Sequence, residues 1–171
     1  TEFNTTGSFS LTSAVEPTFL AGVNTTNVDL TGNPSSITLG KTTNTADVTV
    51  GSALTAAGPI AVYGGDISVN QNLTSTSSGA DILLKGSGSI TVAASKSIVT
   101  DGGDLTLWSN SDGETTNGGY INIASDVTLD TRTDADRTAN DGTSNDTGGG
   151  AITLGGGSTS TTLASGTVVP T

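Results

Sequence analysis

Apolar residues recur along this chain as apolar–x–apolar pairs set between short polar or glycine-rich stretches, and never as a persistent stripe at helical spacing. A period of two is the signature of a β-strand with one face buried. The clearest pairs are Ile37/Leu39, Ile60/Val62, Ile82/Leu84, Leu105/Leu107 and Ile152/Leu154. Their first members fall about 23, 22 and 23 residues apart before a final step of about 47. That last step fits either one round carrying insertions or two rounds of which one is poorly marked.

A second pair follows each of the first four: Val48/Val50, Ile67/Val69, Ile90/Val92 and Ile121/Ile123. A weaker third position comes next, at Leu54, Leu73, Ile98 and Val127/Leu129. Three short strands in about 22–23 residues is the arithmetic of a parallel β-helix, an all-β solenoid in which each round stacks on the last. The recurring phrases "GGDISV" at 64–69, "GGDLTLW" at 102–108 and "GGAITL" at 149–154 mark the corners. Glycine suits corners because it accepts positive φ and lets another backbone come close. Alternation predicts Ile, Val and Leu inward, stacked on like residues of the next round, with Thr, Ser and Asn outward.

Three segments depart from this regularity. Residues 1–36 hold Phe9/Leu11, Val23 and Val28/Leu30, strand-like but without a clean register, and read as an irregular N-terminal β segment or cap. The repeats proper occupy 37–157, interrupted by a polar, acidic insertion at 130–149 that reads as a protruding loop. The remainder, 158–171, is a Gly/Ser/Thr-rich tail whose Val168 and Val169 suggest a terminal strand. The pattern predicts no helix anywhere, because no 3.6-residue stripe lasts three turns and glycine is too frequent.

Composition narrows the function classes. Five basic residues stand against 16 acids, a formal net charge of −11. Binding to nucleic acid needs clusters of Lys and Arg to neutralise phosphates, and none exists here. An anionic membrane surface is disfavoured for the same reason, and no apolar run is long enough to span a bilayer. The lack of His and Cys excludes nucleophile–base pairs of those types, thiolate metal sites and disulfides. A chain that starts at Thr1 and contains no Met reads as a processed or excised piece of something longer.

The glycine-rich run from "GGDISVNQNLTSTSSGADILLKGSGSITV" through "GGDLTLWSNSDG" to "GGGAITLGGG" resembles the β-strand repeats of very large bacterial surface proteins of the filamentous-haemagglutinin type. The resemblance covers about 58–157 and lies in composition and period. It implies a right-handed parallel β-helix forming a long fibre outside the cell or on its surface. It also implies a structural role in adhesion, aggregation or biofilm attachment, and the residues themselves favour no enzymatic activity.

Three candidate sites follow. If Leu105 and Leu107 point inward, Trp108 points outward, and the same slot in neighbouring rounds holds Lys85 and Tyr63. Tyr63, Lys85 and Trp108 then form a vertical column, which reads as a stacked exterior ladder, as a face covered by an insertion, or as a platform for surface glycans. The neighbouring outward slots Thr38, Ala61, Leu83, Thr106 and Thr153 are too mixed for a regular threonine array. Ten of the acids lie between Asp101 and Asp146, and Asp134, Asp136 and Asp141 could supply oxygen ligands to calcium or simply form a solvated acidic loop. Arg132 and Arg137 beside Asp130, Asp134 and Asp136 form the one cluster with polysaccharide-cleaving potential, and mutual ion pairing accounts for it equally well. Open strand edges at the ends of such a stack invite end-to-end self-association.

Overall fold

A computed structural model of the chain describes residues 2–4, 7–11, 23–24, 29–116, 118–139, 148–163 and 166–171. Strand β1 (Glu2–Asn4) comes first. The chain then runs in rounds of three: β2 (Ser8–Leu11), β3 (Val23–Asn24) and β4 (Asp29–Thr31), followed by β5 (Ser36–Leu39), β6 (Val48–Val50) and β7 (Leu54–Ala56). The third and fourth rounds are β8 (Ile60–Gly64), β9 (Ile67–Val69) and β10 (Leu73–Ser78), then β11 (Ile82–Gly86), β12 (Ile90–Val92) and β13 (Ser97–Asp101). A fifth holds β14 (Leu105–Ser109), β15 (Ile121–Ile123) and β16 (Thr128–Asp130). A short helix α1 (Asp134–Ala139), then β17 (Ile152–Gly156), β18 (Ser160–Thr162) and β19 (Val168–Pro170) complete the chain.

Each large sheet takes every third strand. The first is ordered β2-β5-β8-β11-β14-β17, the second β3-β6-β9-β12-β15, and the third β7-β10-β13-β16. All pairings within them are parallel, an arrangement compatible with a β-helix. The registers match the repeats read from the pattern: Ile37, Ile60, Ile82, Leu105 and Ile152 are successive partners in the first sheet. Leu54, Leu73, Ile98 and Leu129 do the same in the third. The long step to Ile152 is one round with insertions, because β14 pairs directly with β17. The N-terminal segment is also in register, with Phe9 opposite Ile37 and Val23 opposite Val48.

The core is a column of aliphatic side chains. Ile60, Val62, Ile82, Leu84, Leu105 and Leu107 of the first sheet face Ile67, Val69, Ile90 and Val92 of the second, with Leu54, Leu73 and Ile98 of the third, all essentially without exposure. Each such side chain contributes roughly 1.5–3 kcal/mol of gross driving force.

The repeated "GGD" phrase has a physical basis at the corners. Gly103 sits where a Cβ would stand on the Ala80 backbone of the round before, and a Cβ on Gly150 would stand in turn on Gly103. Gly119 bears the same relation to Gly88. The aspartates then tie one round to the next. The backbone N–H of Asp104 donates to Asp81 Oδ1 at 2.8 Å, and that of Ala151 donates to Asp104 Oδ1 at 2.7 Å. A second ladder runs from Asp66 N–H to Asp47 Oδ1 (2.9 Å) and from Ser89 N–H to Asp66 Oδ1 (2.7 Å). Each carboxylate satisfies a backbone donor that would otherwise lie unpaired at a strand start.

Helix α1 corrects the expectation of a helix-free chain. Its N-terminus carries a capping pair: Thr133 Oγ1 accepts from Asp136 N–H at 3.1 Å and donates to Asp136 Oδ2 at 2.7 Å. Thr-x-x-Asp at 133–136 is a legible start signal, and Asp134 and Asp136 lie in the first turn where the helix dipole favours acids. Six residues are too few for an apolar stripe to register, so periodicity could not reveal it.

Candidate functional site

The predicted column of Tyr63, Lys85 and Trp108 exists. Lys85 pairs in register with Tyr63 on β8 and with Trp108 on β14, and its Nζ lies 3.9 Å from the Trp108 ring centroid. A cation over an indole face at this distance contributes about 0.5–1 kcal/mol where partly exposed. Trp108, however, is only 4% exposed, and its Nε1–H donates to the Gly157 carbonyl at 2.7 Å. Of the readings open to this column, the covered face describes Trp108, and a ring so enclosed offers no open surface to a sugar.

The cover is the C-terminal tail. Strands β18 and β19 form an antiparallel pair, Thr161 opposite Val169, and β19 lies across β14 and β17. Pro170 packs against Gly155, the partner of Trp108, so closely that a Cβ on Gly155 would come within 2.9 Å of Pro170 Cγ. Val169 and Pro170 are buried there. Every residue of β14 is buried as a result, inward faces by the core and outward faces by this strap.

Between strap and sheet lies a groove of about 300 Å³. Its floor is the outward column Ala61, Leu83 and Thr106, in register across β8, β11 and β14. Val168 and Thr167 form one wall, and the Asp81 carboxylate stands at one end with Thr167 Oγ1 at 3.4 Å. Thr106 is 1% exposed, and its Oγ1 has no hydrogen-bond partner. Neither Asp81 nor Thr106 stands out as a site residue in the sequence. The recurrence of Asp at 47, 66, 81 and 104, immediately before inward Val, Ile or Leu, was the signal available for the first.

The acidic insertion is pinned at its neck. Gly150 N–H donates to the Thr131 carbonyl at 3.1 Å, Thr131 Oγ1 donates to the Gly150 carbonyl at 2.8 Å, and Gly148 N–H donates to Asp136 Oδ2 at 3.1 Å. Asp130 accepts from Arg132 Nη2 at 2.8 Å and from Arg137 Nε at 3.2 Å. Arg137 also donates to the carbonyls of Thr100 (2.6 Å) and Arg132 (2.8 Å). The hydrogen bonds from Arg132 foremost, aided by Arg137, hold the Asp130 carboxyl well below the usual carboxylate range. A carboxylate so firmly ionised is poorly matched to proton transfer near neutrality.

Of the three acids considered for calcium, Asp136 is occupied by Thr133 and Gly148, and exposed Asp134 lies 3.5 Å from Arg137. Asp141 lies outside the described residues. Among the described residues no three acids converge on a point that could hold a metal ion. No helix among them is long and apolar enough to cross a membrane. No protein-family model, curated protein or solved structure matches the chain.

Proposed function

We propose that this chain is a length of right-handed parallel β-helix serving as a stiff structural and adhesive element of a secreted or cell-surface bacterial fibre protein. The supporting observation is the rotation of successive strands through three parallel sheets, in register apart from one shift between Thr74 and Ser78 where β10 pairs with β13. In such an object the inter-strand hydrogen bonds run along the long axis, and pulling on the fibre loads many of them together. The inward aliphatic columns and the Asp81–Asp104–Ala151 ladder act along the same direction. The role is non-enzymatic, and it is supported by Arg132 and Arg137 being engaged in ion pairs with Asp130. The net charge of −11 disfavours nucleic-acid partners.

End-to-end self-association belongs to this reading. Ile152 and Leu154 of β17 remain 45% and 49% exposed, whereas their counterparts Leu105 and Leu107 one round earlier are fully buried. Another round stacked on β17 would bury them and occupy its edge. Electron microscopy of the purified chain over a range of concentrations tests both parts. Filaments with an axial repeat of about 4.8 Å support a self-assembling fibre, and isolated short rods support a shaft segment. Compact particles with no long axis would overturn the proposal. Display of the chain on a non-adherent bacterium, scored by retention on glass and on epithelial cells, tests the adhesive part.

A further inference from the structure

We infer that the groove under the C-terminal strap is a binding site for a neutral pyranose ring, held by Asp81, Thr106 and Thr167 over Ala61, Leu83 and Val168. The inference deepens the adhesive reading and rests on it for its use at a surface. The geometry that carries it is local. About 300 Å³ is at the small end of ligand pockets and suits a single ring rather than a chain. Ala61, Leu83 and Val168 give the groove an aliphatic lining on which the C–H face of a sugar can lie.

The polar groups select among ligands that would fit by size. Asp81 Oδ1 is used by the Asp104 N–H at 2.8 Å, while Oδ2 has only the long 3.4 Å contact from Thr167 and keeps capacity to accept. Thr106 lines the groove, and its buried Oγ1 bonds to nothing in the protein. A hydroxyl both donates and accepts, so it seeks a partner able to do either. An aliphatic amine would satisfy Asp81 but could not accept from Thr106. An acidic sugar would meet the Asp81 carboxylate with like charge, on a chain already at −11. A ring bearing neighbouring hydroxyls can donate to Asp81 Oδ2 and exchange a hydrogen bond with Thr106 as the wall formed by Val168, itself half exposed, moves aside. Sites built around a ligand hydroxyl discriminate strongly, because the protein groups are left unpaired when the ligand lacks it.

The test is an NMR titration of the full-length ¹⁵N-labelled chain with methyl glycosides of glucose, galactose and mannose. Glucuronic acid and cyclohexylamine serve as comparison probes. At least one neutral glycoside is expected to shift the amides of Leu83, Thr106, Thr167 and Val168 in a saturable way. Thr106→Val, which keeps the shape and β-branching, should weaken that glycoside at least tenfold. Ala61→Leu, which fills the groove from the outer face, should abolish the response while the remaining spectrum stays unchanged. Three results would overturn the inference: no saturable shift with any glycoside, shifts centred away from these residues, or a response to the amine alone. A failed rod morphology in microscopy would sink the fibre reading and leave this titration standing, so the two failures are distinguishable.

Discussion

Adding one methyl group at Gly103 should damage the fold far more than adding one at Gly79. In Gly103→Ala the new Cβ would lie against the carbonyl oxygen and carbon of Ala80 and 2.9 Å from its nitrogen. These are backbone atoms in the preceding round, so no side-chain rotation relieves the clash. Separating the rounds there strains the hydrogen bonds of Ile82 N–H to the Asp104 carbonyl (2.9 Å) and Asp104 N–H to Asp81 Oδ1 (2.8 Å). It also disturbs the 2.6 Å bond from Thr100 Oγ1 to the Gly103 carbonyl. Overpacking of a rigid site costs about 1–3 kcal/mol, and each hydrogen bond weakened adds up to ~1 kcal/mol, so a loss of about 3–5 kcal/mol is expected. Gly79 has φ +74° and nothing within 4 Å of a new Cβ, so Gly79→Ala should cost only the left-handed backbone penalty of about 1–2 kcal/mol. Urea unfolding followed by both far-ultraviolet circular dichroism and Trp108 fluorescence provides the assay. Two probes are needed because stacked repeats can lose two-state behaviour. If Gly103→Ala lies within about 0.5 kcal/mol of the parent, or costs less than Gly79→Ala, the close-approach account of the corner glycines is wrong.

Other outcomes follow from the same geometry. Thr106→Val should stabilise the chain by about 1 kcal/mol in urea melts, because it removes a buried hydroxyl that lacks a partner and keeps the shape. Replacing Asp130 with Asn should cost about 2–3 kcal/mol near neutrality through the lost charge-assisted bonds to Arg132 and Arg137. Because the folded-state carboxyl lies below its ordinary value of 3.8, its contribution is present above about pH 4 and is lost as pH falls below that. The Asn variant should accordingly show a smaller loss of stability between pH 5 and pH 2, read from thermal melts. Gly155→Leu should push Pro170 off the sheet, and the fluorescence of Trp108 should shift to the red and become accessible to acrylamide. An unchanged emission maximum in that variant would mean that the strap does not cover the ring.

Much of this architecture was legible because it is local and periodic. Alternating pairs such as Ile82/Leu84 specify which face of a strand is buried, since a one-residue slip would turn both outward. Their spacing of about 22–23 residues places like with like in successive rounds, and the observed registers of Ile60, Ile82 and Leu105 agree. The column of Tyr63, Lys85 and Trp108 followed from the same counting. Helix α1 escaped because its determinant is a cap at Thr133 rather than a stripe.

What counting could not supply was which outward face would stay outward. Trp108 and Thr106 are outward in the strand and buried in the protein, since the chain returns through Val168, Val169 and Pro170 to lie across β14. No period links 168–170 to 106–108. The contact is a single long-range event between a low-complexity tail and one face of a sheet. Nor could the sequence reveal that Thr106 Oγ1 would be left without a partner, or that Asp81 would line the same groove. Repetition writes inter-round contacts into the sequence many times over, whereas a docking that occurs once is decided by shape and appears only when the chain is folded.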